Sequence, residues 1–194
     1  KEIIERLGKA LEHEAHGSNN LTRMVEMAQV LAPKVGLNEP EAHALRLAVP
    51  LLDIGTSIVP KSILQKSSPL SDEEVFKIRQ HAECGYQILQ DSSRPTIQMA
   101  AMLAKQHHER WDGKGYPEGL KGEEIDIRSR IATLVDVFDA LLNERPYKPA
   151  WAIDKVVAVL QEESGKHFDP QLVEYVLEDL PAFIAIQARY PNKT

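Results

Sequence analysis

Apolar residues recur every three or four positions along most of the 194-residue chain, which is the spacing of amphipathic helices with one buried face. No window shows the alternation of apolar and polar residues that marks a half-buried β-strand, and no repeat period is visible. The pattern predicts an all-α fold of about seven to eight helices. The predicted helices cover roughly 2–14, 21–31, 40–53, 71–90, 95–108, 131–142, 151–160 and 170–180, followed by a short tail. A short helical piece is also expected at about 60–64.

Prolines and one capping pair define three of these boundaries. Ser71 followed by Glu74 forms a capping box, in which each side chain satisfies a free backbone donor at the start of the fourth helix. Pro95 suits the first turn of the fifth helix. Pro50 lies inside the predicted third helix and removes a backbone donor there, so we expect a kink just before Asp53.

The composition favours a single globular domain and argues against a nucleic-acid-binding or membrane-spanning protein. The length, with 43% hydrophobic and 27% charged residues, predicts a single domain over residues 1–194. The first residue is Lys1, with no initiator methionine, as expected for a piece of a larger signalling protein. The net charge of −6 without a basic block argues against a DNA or RNA groove, and no apolar run is long enough to span a membrane. The single cysteine, Cys84, excludes an internal disulfide, so we expect a cytoplasmic protein.

Several ligand-type side chains lie on otherwise apolar helices or at their ends. Imidazole and carboxylate bind zinc, iron and manganese, and helical proteins build such sites from facing helices. The alternative is that each residue is a solitary polar group satisfied by a cap or by water. Burying Asp136 unpaired among apolar neighbours would cost on the order of several kcal/mol, which argues against that alternative. The candidate ligands are Asp53, His81, His107, His108, Asp136 and His16.

A loop rich in glycine follows the histidine pair directly. Gly113, Gly115, Gly119 and Gly122 fit a surface turn, but their density around Tyr116-Pro117 favours a backbone that approaches another group closely. Because the loop begins where the helix ends, His107 and His108 can both reach one cluster there.

Two cations follow the Asp136 helix. Arg145 and Lys148 could bind phosphate, the arginine through its planar fork and the lysine as a point charge. On spacing alone, a solvated surface is the equal alternative.

The segment HHERWDGKGYPEGLKGEEI, followed by RSRIATLVDVFDALLNERPYK, closely resembles the HD-GYP domains, which are helical metal-dependent phosphodiesterases that hydrolyse cyclic di-GMP. The stretch DIGTSIVPKSILQKSSPLSDEEVFKIRQHAECGYQIL resembles the segment that begins at the His-Asp dyad of that family. The resemblance implies that Asp53 is the catalytic carboxylate and that Asp53, His81, His107, His108 and Asp136 are metal ligands. It also implies a substrate-binding set of Gly115, Tyr116, Pro117, Arg145 and Lys148.

The chain departs from the family pattern at four positions. Leu52 stands where the dyad has its histidine, and Thr56 stands where a lysine usually follows. Asn20 replaces the histidine of the His-x-x-Arg-Val pattern, and His16 replaces a glutamate ligand. An ion that depended on Asn20 and Leu52 is therefore expected to be absent, because leucine has no lone pair and asparagine is a weak ligand.

A second ion could still bind to Asp53, His81 and His107, with His108 nearby and His16 as a possible replacement ligand. We therefore expect iron, manganese or zinc at partial occupancy, or no metal at all. One ion can polarise a phosphoryl oxygen, but it cannot clamp both the attacking and the leaving oxygen.

These departures predict a degenerate HD-GYP domain of bacterial cyclic di-GMP signalling. It would act by binding cyclic di-GMP or a related nucleotide, or by binding cyclic di-GMP-synthesising domains through the glycine loop. The main alternative is a residual metal-dependent phosphodiesterase that hydrolyses cyclic di-GMP. A phosphohydrolase for another nucleotide and a structural module also remain open.

Overall fold

The computed structural model describes residues 19–143 and 150–192. Within these ranges the chain forms nine α-helices and no β-strand, which confirms the all-α prediction. Three short 3₁₀ segments lie at Val49–Leu51, Ile54–Ile58 and Gly122–Glu124. The helices are α1 (Asn20–Lys34), α2 (Glu39–Ala48), α3 (Lys61–Leu64), α4 (Asp72–Leu89), α5 (Pro95–Gln106), α6 (Ile127–Leu142), α7 (Ile153–Glu163), α8 (Pro170–Glu178) and α9 (Leu180–Arg189).

The predicted start signals of α4 and α5 are confirmed. The Ser71 hydroxyl accepts a hydrogen bond from the Glu74 amide at 3.2 Å, and the Glu74 carboxylate accepts one from the Ser71 amide at 2.8 Å. Both free donors at the start of α4 are thus satisfied. Pro95 is the first residue of α5, where its missing N–H costs nothing.

The predicted third helix is too long. Helix α2 ends at Ala48, and the chain continues as a 3₁₀ segment that contains Pro50. Proline has no N–H to continue the α-helical ladder, so the chain breaks instead of kinking. Asp53 therefore lies between two 3₁₀ segments.

The predicted short tail after residue 180 is wrong. Residues Leu180–Arg189 form α9, whose Phe183 is buried and packs edge-to-face on Phe138 of α6 at 5.6 Å between ring centres. This helix was not predicted, whereas the four-residue α3 lies where the short helical piece was expected. The predicted helix over residues 2–14 lies outside the described residues.

One hydrophobic core joins the described helices. Helix α1 packs against α6, α2 packs against α5, and α4 lies along both α5 and the 3₁₀ segment Ile54–Ile58. Helix α6 supplies five consecutive buried residues, Ile131 to Val135. Among the described helices, none combines the length and hydrophobicity that crossing a bilayer requires.

Candidate metal centre

Four predicted ligands converge at the end of α5. Asp53 reaches the cluster from between the 3₁₀ segments, His81 from the middle of α4, and His107 and His108 from the residues directly after α5. One ligand atom from each of these residues lies within 4.8 Å of all the others. The sequence prediction that His107 and His108 reach a common cluster at the helix end agrees with this geometry.

Four of the six separations between the ligand atoms are close to those found around one metal ion. The Nε2 atom of His81 lies 3.2 Å from Nε2 of His107, 3.1 Å from Nε2 of His108 and 3.5 Å from Oδ1 of Asp53. Nε2 of His107 lies 3.3 Å from the same carboxylate oxygen. Ligands about 2.1 Å from a shared ion, at angles of roughly 90–110°, are separated by about 3.0–3.4 Å.

Backbone carbonyls fix the orientation of two of the rings. Nδ1 of His81 lies 2.6 Å from the carbonyl oxygen of Ile78, and Nδ1 of His107 lies 3.0 and 2.9 Å from those of Leu103 and Ala104. A carbonyl can only accept, so each Nδ1 carries the proton and each neutral ring directs its Nε2 lone pair into the cluster. The two Nε2 atoms, 3.2 Å apart, can therefore share either a bound metal ion or a single proton.

The position of Asp53 depends on Gly55. A Cβ atom at Gly55 would lie 1.9 Å from the carbonyl oxygen of His81 and 2.6 Å from the amide nitrogen of Gly85. The 3₁₀ segment can therefore rest directly on the backbone of α4 only because residue 55 has no side chain. This close approach brings Asp53 within ion-pair distance of His81.

Burial and mutual repulsion keep two of the rings neutral. Burial, followed by the charge of His107, lowers the pKa of His81. Burial and the two other rings hold the pKa of His108 well below its usual value. Burial also opposes protonation of His107, but the Asp53 carboxylate outweighs it and raises the pKa of His107. Neutral imidazoles beside a carboxylate are the form in which these residues bind a divalent ion.

The glycine loop is attached to the centre through Glu109, whose carboxylate is 1% exposed. It accepts hydrogen bonds from the amides of Glu118, Gly119 and Leu120 at 2.8, 3.2 and 3.0 Å. Three backbone donors are thereby satisfied by one buried carboxylate. The sequence analysis did not identify this residue, although its position directly after the histidine pair was a usable signal.

Gly115 lets the loop return to the histidine pair. A Cβ atom there would lie 2.5 Å from both the Arg110 amide nitrogen and the His108 carbonyl oxygen. The close backbone approach predicted from the glycine density is therefore present at this residue.

Tyr116 covers one side of the centre. Its amide donates to the His108 carbonyl at 3.2 Å, and its ring stacks on the His108 ring with 4.8 Å between centres. Burial raises the pKa of Tyr116 to about 12. The Tyr116-Pro117 peptide bond is cis, and Pro117 is exposed.

Asp136 does not join the four-residue group. Its side chain is half-buried on α6. Burial is the largest effect on the pKa of His107 and lowers it, whereas Asp53 and, to a smaller extent, Asp136 raise it. A ligand role for Asp136 therefore stays a prediction. The buried carboxylate of α6 is instead Asp139, one turn further on and 1% exposed.

Asn20 faces Asp139 and not the histidine cluster. Its side-chain amide donates to Oδ2 of Asp139 at 2.9 Å, and Arg23 donates to both carboxylate oxygens at 2.5 and 3.0 Å. Asn20, Arg23 and Asp139 are all buried. The position where the family pattern has a histidine is therefore part of a buried ion-pair network.

Of the other three departures, Leu52 and Thr56 lie within the described residues and have equally local surroundings. Leu52 is 1% exposed and belongs to the hydrophobic core. The Thr56 hydroxyl donates to the Asp53 carbonyl oxygen at 2.8 Å, so it caps a backbone group. Neither side chain offers the centre a charge or a metal ligand. His16, Arg145 and Lys148 lie outside the described residues, so their roles stay predictions.

Comparisons with known proteins agree with this geometry. The HD domain family model matches residues 7–172. The chain is 41% identical over 178 residues to the cyclic di-GMP phosphodiesterase response regulator RpfG of Xanthomonas campestris, an alignment that covers 91% of this chain and 47% of that protein. It is 39% identical over 193 residues to 3'3'-cGAMP-specific phosphodiesterase 2 of Vibrio cholerae, covering 99% of this chain and 37% of that protein.

A solved structure shares the fold. The crystal structure of a Vibrio cholerae cyclic GMP-AMP-specific phosphodiesterase superposes with a TM-score of 0.70 at 23% identity, covering 95% of this chain and 50% of that one. The chain spans half or less of the length of each of these three relatives. The chain belongs to the HD domain family, as an HD-GYP domain related to cyclic di-GMP phosphodiesterases.

Proposed function

We propose that this HD-GYP domain binds a cyclic dinucleotide at a centre for one metal ion and has lost most or all of its hydrolytic activity. The observation that carries the proposal is the uneven state of the site. Asp53 and the three histidines form a cluster of four candidate ligands, whereas Asn20 and Leu52 face other parts of the molecule. Relatives named as cyclic di-GMP and 3'3'-cGAMP phosphodiesterases support the choice of ligand class.

The loss of one ion would affect hydrolysis more than binding. When bound, a divalent ion at this centre would polarise a phosphoryl oxygen and lower the pKa of a water molecule, but a single ion cannot clamp both reacting oxygens. Asp53, His81, His107 and His108 would hold that ion. Thr56 offers no cation to the phosphate. Ligand binding, which needs only an anchored phosphate, would survive this loss.

Metal analysis combined with calorimetry tests the proposal. We expect about one iron, manganese or zinc ion per chain and measurable binding of cyclic di-GMP or 3'3'-cGAMP, with little or no linear product. His81→Ala removes a ligand and should lose both the ion and the nucleotide. His43→Ala, which removes an exposed histidine of α2, is the matched control. Two or more ions per chain, or failure to bind either nucleotide, would contradict the proposal.

The alternative is a residual phosphodiesterase, which the complete four-residue cluster favours. It predicts slow turnover of cyclic di-GMP after reloading with manganese or iron. His107→Ala should abolish that turnover, because it removes a ligand that is fully enclosed. A metal-loaded sample that gives no product would eliminate this alternative.

Restoring the missing groups separates the two candidates. In Asn20→His/Leu52→His/Thr56→Lys, we expect the metal content to rise from about one toward about two ions per chain and hydrolysis to increase by roughly 100-fold or more. Thr56→Lys alone is the control, since it adds a cation without a ligand. Unchanged hydrolysis in the triple variant, despite two bound ions, would show that the lost residues do not limit the reaction.

We also propose that the glycine loop can contact a cyclic di-GMP-synthesising domain. The residues Lys114, Pro117, Glu118 and Gly119 are exposed, and Glu109 holds the backbone of Glu118 and Gly119 from the interior. A pull-down against such domains tests this, with Lys114→Glu/Pro117→Ala as the variant expected to lose the partner. Equal capture by the variant would reject the loop as the contact.

A further inference from the structure

Arg79 contacts Tyr116, the residue that stacks on His108 of the metal centre. It is exposed on α4, two residues before His81. Its guanidinium carbon lies 4.9 Å from the centre of the Tyr116 ring, and that ring stacks on His108 at 4.8 Å. The aromatic contact restrains the head of a long side chain that would otherwise move freely in solvent.

Arg79 contacts an aromatic ring, whereas most other arginines of the described ranges pair with a carboxylate. Five of them form ion pairs with carboxylates, whereas Arg79 is paired with none among the residues that the structure describes. Its guanidinium is held by a ring that carries no charge. The N–H donors of Arg79 therefore have no anionic partner in this part of the chain. The five paired arginines are Arg23, Arg46, Arg110, Arg128 and Arg130.

Two other cations near the loop, Lys105 and Arg110, already pair with carboxylates. Lys105 pairs with Glu118 at 3.0 Å, and Arg110 pairs with Asp112 at 3.0 Å and with Glu163 at 3.4 Å. The neighbouring 3₁₀ segment offers Thr56, which is neutral. A phosphate brought to the centre would thus meet Arg79 as a fixed cation without a competing carboxylate.

We infer that Arg79 binds a phosphate of the cyclic dinucleotide and supplies the cation that Thr56 does not. The inference rests on the proposed function, because it assigns a further contact to the same ligand. A guanidinium suits this role, since its planar fork can donate two parallel hydrogen bonds to a phosphate. Its contact with Tyr116 also reduces the side-chain entropy that binding would cost.

Calorimetry on the metal-loaded chain, with cyclic di-GMP and inorganic phosphate as probes, tests the inference. Arg79→Ala should weaken cyclic di-GMP binding by roughly tenfold, and Arg79→Lys should weaken it by roughly threefold because the charge remains without the fork. The matched control is Arg94→Ala. Arg94 also lacks an ion pair among the described residues, but it precedes α5, at the opposite end of that helix from His107. It should change affinity by less than about twofold.

Metal content distinguishes a ligand contact from a structural effect. Arg79→Ala should retain the wild-type number of ions per chain and the wild-type thermal midpoint, and its affinity deficit should shrink as salt screens the charge. Equal affinity of wild type and Arg79→Ala for cyclic di-GMP would overturn the inference and leave the proposed function standing. A wild-type chain that binds neither cyclic di-GMP nor inorganic phosphate would overturn both.

Discussion

Glu109 shows how one buried carboxylate can determine the conformation of a loop. The loop from Glu118 to Leu120 has no helix or strand to satisfy its amides, so its backbone donors need an acceptor elsewhere. Glu109 provides that acceptor from the peptide that follows His108. The surface loop and the metal ligands therefore depend on the same short segment.

Replacing Glu109 by alanine should destabilise the protein by about 3 kcal/mol, because three amides lose a charged acceptor inside the fold. Urea unfolding measures the loss, and hydrogen exchange should accelerate at Gly119 and Leu120. Glu118→Ala removes an exposed carboxylate that pairs with Lys105 at the surface, and should cost under about 1 kcal/mol. Equal losses in the two variants would contradict the role of Glu109.

His167 makes part of the stability dependent on pH. Burial, followed by the positive charge of Arg110, lowers the pKa of His167 below its usual 6.5. The unfolded chain then binds more protons than the native state between the two pKa values, so stability is lost as the pH falls through that window. His167→Gln should flatten the decline of the unfolding free energy between about pH 7 and about pH 5. Parallel curves for the two proteins would refute this assignment.

At the residue scale, the sequence predicted the members of the candidate metal centre better than the residues that hold them in place. Asp53, His81, His107 and His108 were predicted because histidines and carboxylates are conspicuous on apolar helices. Glu109 was missed because the amides that donate to its carboxylate lie on a loop whose path cannot be read from a local pattern. Asp139 was not singled out, because its pairing with Arg23 depends on how α1 packs against α6.

The 3₁₀ segment Ile54–Ile58 is the element on which the geometry of the centre depends most. Its contact with α4 leaves no space for a side chain at Gly55. A proline-induced break after α2 makes this segment possible, because a continued α-helix would carry Asp53 along another path. The prediction placed a kink here, and the observed break is larger because 3₁₀ geometry continues on both sides of Asp53.

Gly55→Ala should therefore damage both stability and the site. The added methyl group meets the backbone of His81 and Gly85, which cannot move aside as a side chain would. We expect a loss of about 3 kcal/mol in unfolding free energy and roughly tenfold weaker metal binding. Ser57→Ala, an exposed change in the same segment, should alter neither by more than about 0.5 kcal/mol. Normal metal affinity in Gly55→Ala would show that Asp53 does not need this contact.

Local sequence signals predicted most of the positions at which helices begin, but they did not predict all of the positions at which helices end. The capping box at Ser71 and the proline at Pro95 act within one turn, so the sequence predicts them well. Helix α9 was missed because it follows α8 with only Asp179 between them, and a second start so close to an end resembles a tail. Its burial of Phe183 against Phe138 is a tertiary contact.

At the scale of the whole molecule, the Arg23–Asp139 pair connects distant parts of the chain. Arg23 of α1 donates to Asp139 of α6 and also to the carbonyl oxygen of Tyr190 and the side chain of Asn192, at 2.7 and 3.0 Å. The pair is almost fully enclosed, with exposures of 0% and 1%. The Arg23 guanidinium thus connects the start of α1 with α6 and with the residues after α9.

Asp139→Ala should cost about 3–5 kcal/mol, because it leaves the Arg23 charge buried without its carboxylate. Asp179→Ala breaks an exposed pair with Lys34 at 3.5 Å, and should cost under about 1 kcal/mol. Chemical denaturation of both variants gives the comparison. A loss below about 1 kcal/mol for Asp139→Ala would mean that water reaches Arg23 readily.

His107, His108 and Glu109 are three consecutive residues, of which two face the centre and one anchors the loop. A rotation of this backbone would change the orientation of the His107 or His108 ring and the hydrogen bonds from the loop to Glu109 at the same time. Thermodynamic linkage makes this effect reciprocal. If a bound ion strengthens the binding of a partner at the loop, the partner strengthens the binding of the ion by the same free energy.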